Sequence, residues 1–176
     1  MQHPFVALTP GQGKWMFWPA FALVIILTLL FHLIDPPPGV VAFEVAGNLG
    51  TAQAILSSWD GPARLLVAFA LGIDYLYMVA YSTTIGLACI WAGRTLRSDA
   101  WPLAGLGVLL AWGLWLAALA DATENVGLIV QLVSGGSQLW AQLSAACATV
   151  KFLLVICGLV YAAYGGAAWL REWRGE

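Results

Sequence analysis

Charge is scarce in this chain. Only 9% of its 176 residues are Asp, Glu, Lys or Arg, against 61% hydrophobic. A soluble domain carries about a quarter of its residues as charges, so a water-exposed globule is excluded. Histidine is almost missing too, with only His3 and His32. His3 falls in the short N-terminal tail, and no H-x-x-x-H pairing exists for a b-type haem or a zinc site. Carboxylates are left as the donors a hard divalent ion could use. The three cysteines, Cys89, Cys147 and Cys157, fall at different depths along their helices, which fits packing and no disulfide. No glycine-rich phosphate loop and no nucleophilic serine motif appears. A net charge of −2 gives no basis for a nucleic-acid partner. No cofactor and no metal are expected.

What is abundant is apolar sequence, with a mean hydropathy of +0.85. Four runs, about 15–34, 64–92, 101–133 and 138–170, exceed the roughly 20 residues that cross a bilayer. The first is too long and too aromatic for a signal peptide, and Pro36-Pro37-Pro38 stands where small cleavage residues would be needed. It reads as an uncleaved anchor. Lys14, Arg94, Arg97, Arg171 and Arg174 flank ends that would share one side, whereas the other side has Arg64 beside Asp35, Glu44 and Asp60. The positive-inside rule then makes both termini cytoplasmic in the cell (inner) membrane. Trp15, Trp18, Trp91, Trp101, Trp169 and Trp173 mark the same inner boundary as an aromatic belt. The expected fold is all-α: a single domain over 1–176, a four-transmembrane-helix up-down bundle. Between helices 1 and 2, the stretch 41–59 is expected to form one extracytoplasmic amphipathic helix. Val41, Val45, Leu49, Ala52, Leu56 and Trp59 make its apolar stripe, with Glu44, Asn48, Thr51 and Ser58 on the other side.

Counting outward from the tryptophans at about 1.5 Å per residue brings the ionisable residues of four helices to one level. They are His32, Asp74, Asp121 with Glu124, and Lys151. Asp121, Glu124 and Asn125 stand at i, i+3 and i+4 and share a face. Asp74, Tyr77 and Tyr81 share another. Lys151 follows a strip of small residues, Ser144, Cys147, Ala148, Gly158, Ala162 and Gly165, of the kind that lets helices approach closely. Each has a plainer alternative: a helix end reaching water, an interfacial tyrosine, a lysine snorkelling outward. An Asp or Lys inside a membrane helix costs about 2.5–3.5 kcal/mol at the centre, so these groups should meet. Three carboxylates face one lysine, and Glu44 would add a fourth. A retained proton or a bound cation is then required, and coupled carboxylates of this kind suit acid–base work as well as amine binding.

Four short motifs add a resemblance. "FEVAG" (43–47), "AILSSW" (54–59), "IDYLYMVAY" (73–81) and "ADATEN" (120–125), with the lysine in the last helix, resemble small four-helix integral membrane proteins of bacteria. Those proteins carry FE(V/L)AG, D-x-x-Y-x-x-x-Y and AD-x-x-EN patterns and have no established activity. The resemblance implies a four-helix membrane fold and draws attention to Glu44, Asp74, Tyr81, Asp121, Glu124, Asn125 and Lys151.

Three functions follow as expectations. The first is a pocket in the outer leaflet that binds or moves a lipid-like or cationic small molecule, through Glu44, Asp74, Tyr77, Tyr81, Asp121, Glu124, Asn125 and Lys151. The second is a membrane enzyme using Asp121 or Glu124 as acid–base, with Lys151 and Tyr81 in support. The third is a structural subunit whose charges only lock helices together. Membrane lipids are the expected surroundings, and the sequence leaves a homo-oligomer or a larger membrane complex open.

Overall fold

The computed structural model describes residues 3–98 and 100–175, with side chains through Arg171. The side chains of Trp173 and Arg174, two of the topology markers above, lie outside that set. A single 3₁₀ turn, Pro4–Ala7, precedes six α-helices: α1 (Pro10–Ile34), α2 (Val40–Glu44), α3 (Leu49–Ser58), α4 (Gly61–Ser98), α5 (Leu106–Ser134) and α6 (Gln138–Gly175). No strand occurs among the described residues. Four helices (α1, α4, α5 and α6) are long and apolar enough to cross a membrane. Large aliphatic side chains stay uncovered along them, including Ile26, Leu29 and Leu33 on α1 and Leu153, Ile156 and Val160 on α6. In water such a surface would forfeit about 25 cal/mol per Å²; it suits an apolar solvent.

Helix ends depart from the hydrophobic runs for local reasons. α1 starts at Pro10, ahead of residue 15, because Thr9 and Gln12 form a reciprocal cap. The Gln12 amide N–H donates to Thr9 Oγ1 (3.3 Å), and the Thr9 N–H donates to Gln12 Oε1 (3.0 Å). α5 starts at Leu106, behind residue 101, because Ala100 and Leu103 take positive φ (55° and 66°). That conformation stops a right-handed helix.

The largest correction concerns 41–59, which is two helices and not one. Gly47 (φ +67°) breaks the chain after α2. Asn48 then restarts it, accepting the Thr51 N–H at 2.8 Å. The break changes the buried face of α2, whereas Ala52, Leu56 and Trp59 of the expected stripe stay inside. Val41 and Val45, expected inside, are exposed, and the buried face is Phe43, Ala52, Ile55, Leu56 and Trp59.

Contacts group the chain into two compact units. The first comprises Met1–Leu23, Val79–Ala117 and Phe152–Glu176. Its helices meet at small residues. A Cβ on Gly107 would collide with the Cys89 carbonyl oxygen, and one on Gly165 with the backbone and side chain of Ala92. His3, expected in an open tail, is buried against Phe5, Trp112 and Trp115. Burial lowers its pKa from the ordinary imidazole value. Phe5 packs beside it on Leu87, Ile90 and Ala111.

The second unit comprises Val24–Met78 and Ala118–Lys151. Phe43, Ile55, Leu56 and Trp59 from α2, α3 and the turn after them pack on Val67, Leu71, Leu128 and Ala141. Arg64 fastens α3 in place. Its guanidinium donates to the carbonyls of Leu56 (2.7 Å) and Trp59 (3.2 Å), satisfying carbonyls a helix end leaves open. Asp60 accepts the Ala63 N–H (2.8 Å) and caps α4. Gln138 Oε1 takes the Leu49 N–H (2.9 Å), tying the start of α6 to the start of α3.

Gly165 and its neighbour test the close approach. A Cβ on Gly166 would meet nothing within 4 Å. Gly165→Ala should therefore lower the thermal unfolding midpoint in detergent, at a cost of about 1–3 kcal/mol. Gly166→Ala should hold or raise it, by up to about 1 kcal/mol of helix propensity. Equal effects at both positions would contradict the packing.

Candidate functional site

The polar residues of the second unit converge on one ammonium group. Lys151 Nζ lies 3.0 Å from Asp121 Oδ1, 3.0 Å from the Glu124 carboxylate and 3.3 Å from Glu44 Oε2. An ammonium has three donors, and here each finds a different carboxylate. Lys151 is 7% exposed, Asp121 1% and Glu124 0%, so these pairs are shielded from water. The lysine points inward, as its strip of small neighbours predicts. Ser144 and Ala148 on that strip are buried, and Ser144 Oγ donates to the Glu124 carbonyl at 3.4 Å.

The i, i+3, i+4 spacing on α5 does what a shared face requires. Asp121 and Glu124 meet Lys151, while Asn125 Nδ2 donates to Asp74 Oδ2 at 2.7 Å. Asp74 thus joins through an amide and not through the lysine. Glu44 joins from α2, because the break at Gly47 leaves that helix with Phe43 in the core and Glu44 beside it. Burial pushes the Glu44 carboxyl above its ordinary range, against the pull of the neighbouring Lys151 ammonium.

The tyrosines divide differently. Tyr77 Oη lies 3.2 Å from Thr28 Oγ1, and its ring stands edge-on to Phe31, so it bonds to α1. Tyr75 is exposed and donates weakly to the Ala122 carbonyl (3.4 Å). Tyr81 is buried and belongs to the first unit.

An open cleft of about 290 Å³ adjoins this group. Its walls include Thr28, Phe31 and His32 of α1, Asp35, Val40 and Val41, and Ala70 and Leu71 of α4; its carboxylates toward the cluster are Glu44 and Asp74. Asp121, Glu124, Asn125 and Lys151 do not line it. The four carboxylates of the cluster therefore fall into two sets: Asp121 and Glu124 are buried away from the cleft, while Glu44 and Asp74 line it. The sequence reading missed Thr28 and Phe31. Their signal was available, since 28, 31, 32 and 35 stand at helical spacing on one face. Among the described residues no group of His, Cys, Asp and Glu is arranged to hold a metal ion. The centre between three of the carboxylates is filled by Lys151 Nζ.

Comparison of the chain with family models, with characterised proteins and with solved structures finds no match.

Two substitutions probe the cluster by thermal unfolding. Lys151→Met leaves three carboxylates without their cation and should destabilise by about 3–5 kcal/mol near neutral pH. Glu44→Gln acts through pH. Because the folded carboxyl is raised, the folded chain holds a proton that the unfolded chain releases. The stability this contributes is complete below the unfolded value near 4.5 and is lost as pH rises through the folded value. The parent should lose stability on going from pH 5 to pH 8, and Glu44→Gln should flatten that slope. An unchanged slope would remove Glu44 from the buried cluster.

Proposed function

We propose that this protein is a multi-pass protein of the cell membrane whose cleft binds a cationic amphiphile from the outer leaflet. In this reading α1, α4, α5 and α6 run up and down across the bilayer, both termini are cytoplasmic, and α2 and α3 lie on the extracytoplasmic side as a cover. The observation that carries the reading is the cleft itself: largely apolar walls that also carry Thr28, His32 and Asp35, with Glu44 and Asp74 as the carboxylates bonded to the cluster. An apolar pocket with a few convergent polar groups is the usual form of a ligand site. Sign gives the specificity. One lysine is already shared among three carboxylates, so acidic groups outnumber it, and Asp74, which the Asn125 amide holds, is the carboxylate an incoming amine would meet. The walls take the chain of the ligand and the carboxylates take its head.

The enzyme reading is less well supported. Asp121 and Glu124, its acid–base candidates, do not line the cleft, and general acid–base work requires reach to the proton transferred. The structural reading accounts for Asp121, Glu124 and Lys151 but gives no reason for an opening beside Glu44 and Asp74.

Orientation is checked by labelling intact cells with an impermeant thiol reagent after the native cysteines are replaced. Asp60→Cys should react and Ser98→Cys should not; the reverse pattern would put the cleft in the inner leaflet. Ligand class is checked with dodecyltrimethylammonium, titrated into the protein in maltoside micelles and followed by calorimetry. Asp74→Asn should weaken its binding about tenfold, the equivalent of about 1.4 kcal/mol for one charge contact. If the parent takes up no dodecyltrimethylammonium, or Asp74→Asn binds it equally well, the cleft is not a cation site.

A further inference from the structure

The first unit holds a cavity of the opposite character. It measures about 330 Å³ and is lined by Arg94, Arg97 and Ser98 at the end of α4, with Val6, Ile90 and Val108 as apolar wall. Among the described residues lining it there is no acidic side chain. Arg94 is held in place: its Nη2 donates to the carbonyls of Val6 (2.9 Å) and Leu8 (3.4 Å). A guanidinium has five donors, and these two bonds both use Nη2, so its fork is oriented but not exhausted. Burial of His3 and Phe5 fixes the N-terminal turn that supplies those carbonyls. Glycine shapes the cavity where α4 and α5 cross. Gly93 and Gly107 line it, and a Cβ on Gly93 would press on the Ala104 carbonyl at 3.0 Å.

From this we infer that the cavity binds the phosphate of an anionic phospholipid headgroup, with Arg94 and Arg97 as its ligands. Two guanidiniums on one helix turn suit phosphate oxygens, which accept paired N–H donors from an Arg fork. The apolar wall favours a lipid over a free phosphate ester, since an acyl chain needs such a surface and a soluble ester does not. Basic pockets on the cytoplasmic side of membrane helices bind anionic headgroups in this way. The inference rests on the membrane reading but is independent of the amine site, which lies in the other unit.

The test uses full-length protein in nanodiscs of phosphatidylcholine, with or without phosphatidylglycerol. Lipid retained after detergent washing is counted by native mass spectrometry. The parent should keep phosphatidylglycerol in preference to phosphatidylcholine. Arg97→Gln, which leaves the Arg94 bonds to Val6 and Leu8 intact, should reduce that preference about fivefold. Lys14→Gln, a neutralisation in the same unit but outside this cavity, should leave it unchanged. sn-Glycerol 3-phosphate is added as competitor. Displacement of the lipid at comparable concentration would make a free phosphate ester the ligand and overturn the lipid assignment. Equal loss in Lys14→Gln and Arg97→Gln would mean general surface attraction and overturn the site. If Arg97→Gln does not fold, Arg97→Lys replaces it: the charge remains and the fork is lost, so the preference should fall part-way. No preference in the parent overturns the inference whatever the variants do.

Discussion

One ammonium group holds the second unit to its geometry. Lys151 reaches Asp121 and Glu124 on α5 and Glu44 on α2, so three segments far apart in sequence share a single cation. Such an arrangement stabilises by avoidance. Removing any of these ions from water costs several kcal/mol, and only the pairing offsets it. The approach of α6 to α5 follows from the same point. Gly127 has no side chain because a Cβ there would collide with Ser144 Oγ, and Ser144 lies on the strip of small residues that carries Lys151.

A cation shared three ways leaves negative charge over, and the fold sorts that excess by access. Asp121 and Glu124 are buried and take the lysine closely. Glu44 takes it at longer range and also lines the cleft, and Asp74, held by the Asn125 amide, lines it as well. A neutral amide adds no positive charge beside the carboxyl it holds, whereas an ammonium does. Asn125 is that neutral partner for Asp74. It positions Asp74 without neutralising it, which an arginine or lysine at the same place would do.

How much of this was legible depends on the kind of signal. The four long helices follow from hydropathy alone, and the shared face of Asp121, Glu124 and Asn125 follows from helical periodicity. Lys151 could be turned inward on paper because its neighbours are small. The connection between α1 and α4 was misread, since a period of 3.6 can be drawn through 41–59 if Gly47 is ignored. The glycine and the Asn48 cap were the available signals, and the apparent stripe outweighed them. Glu44 counted among the expected site residues all the same, but the seating of α2 on Phe43 was hidden. His3 was misread for another reason: no local pattern tells a tail in water from one seated between Trp112 and Trp115. The cleft was invisible in outline because empty space is set by the packing of several elements, although Thr28 and His32 share a face that foretold it.

Charge is also partitioned between the units. Among the described side chains every acid lies in the second: Asp35, Glu44, Asp60, Asp74, Asp121 and Glu124. Lys14, Arg94, Arg97 and Arg171 lie in the first. The two basic residues that break the pattern, Arg64 and Lys151, are both engaged internally. Arg64 is bound by the carbonyls of Leu56 and Trp59, and Lys151 by three carboxylates. Neither guanidinium nor ammonium lines the cleft beside Glu44 and Asp74. The guanidinium and ammonium of this unit are thus taken up by helix carbonyls and by carboxylates, and the imidazole of His32 is the basic side chain that lines the cleft. That is how three carboxylates come to line a cleft in a unit whose lysine is held by Asp121, Glu124 and Glu44.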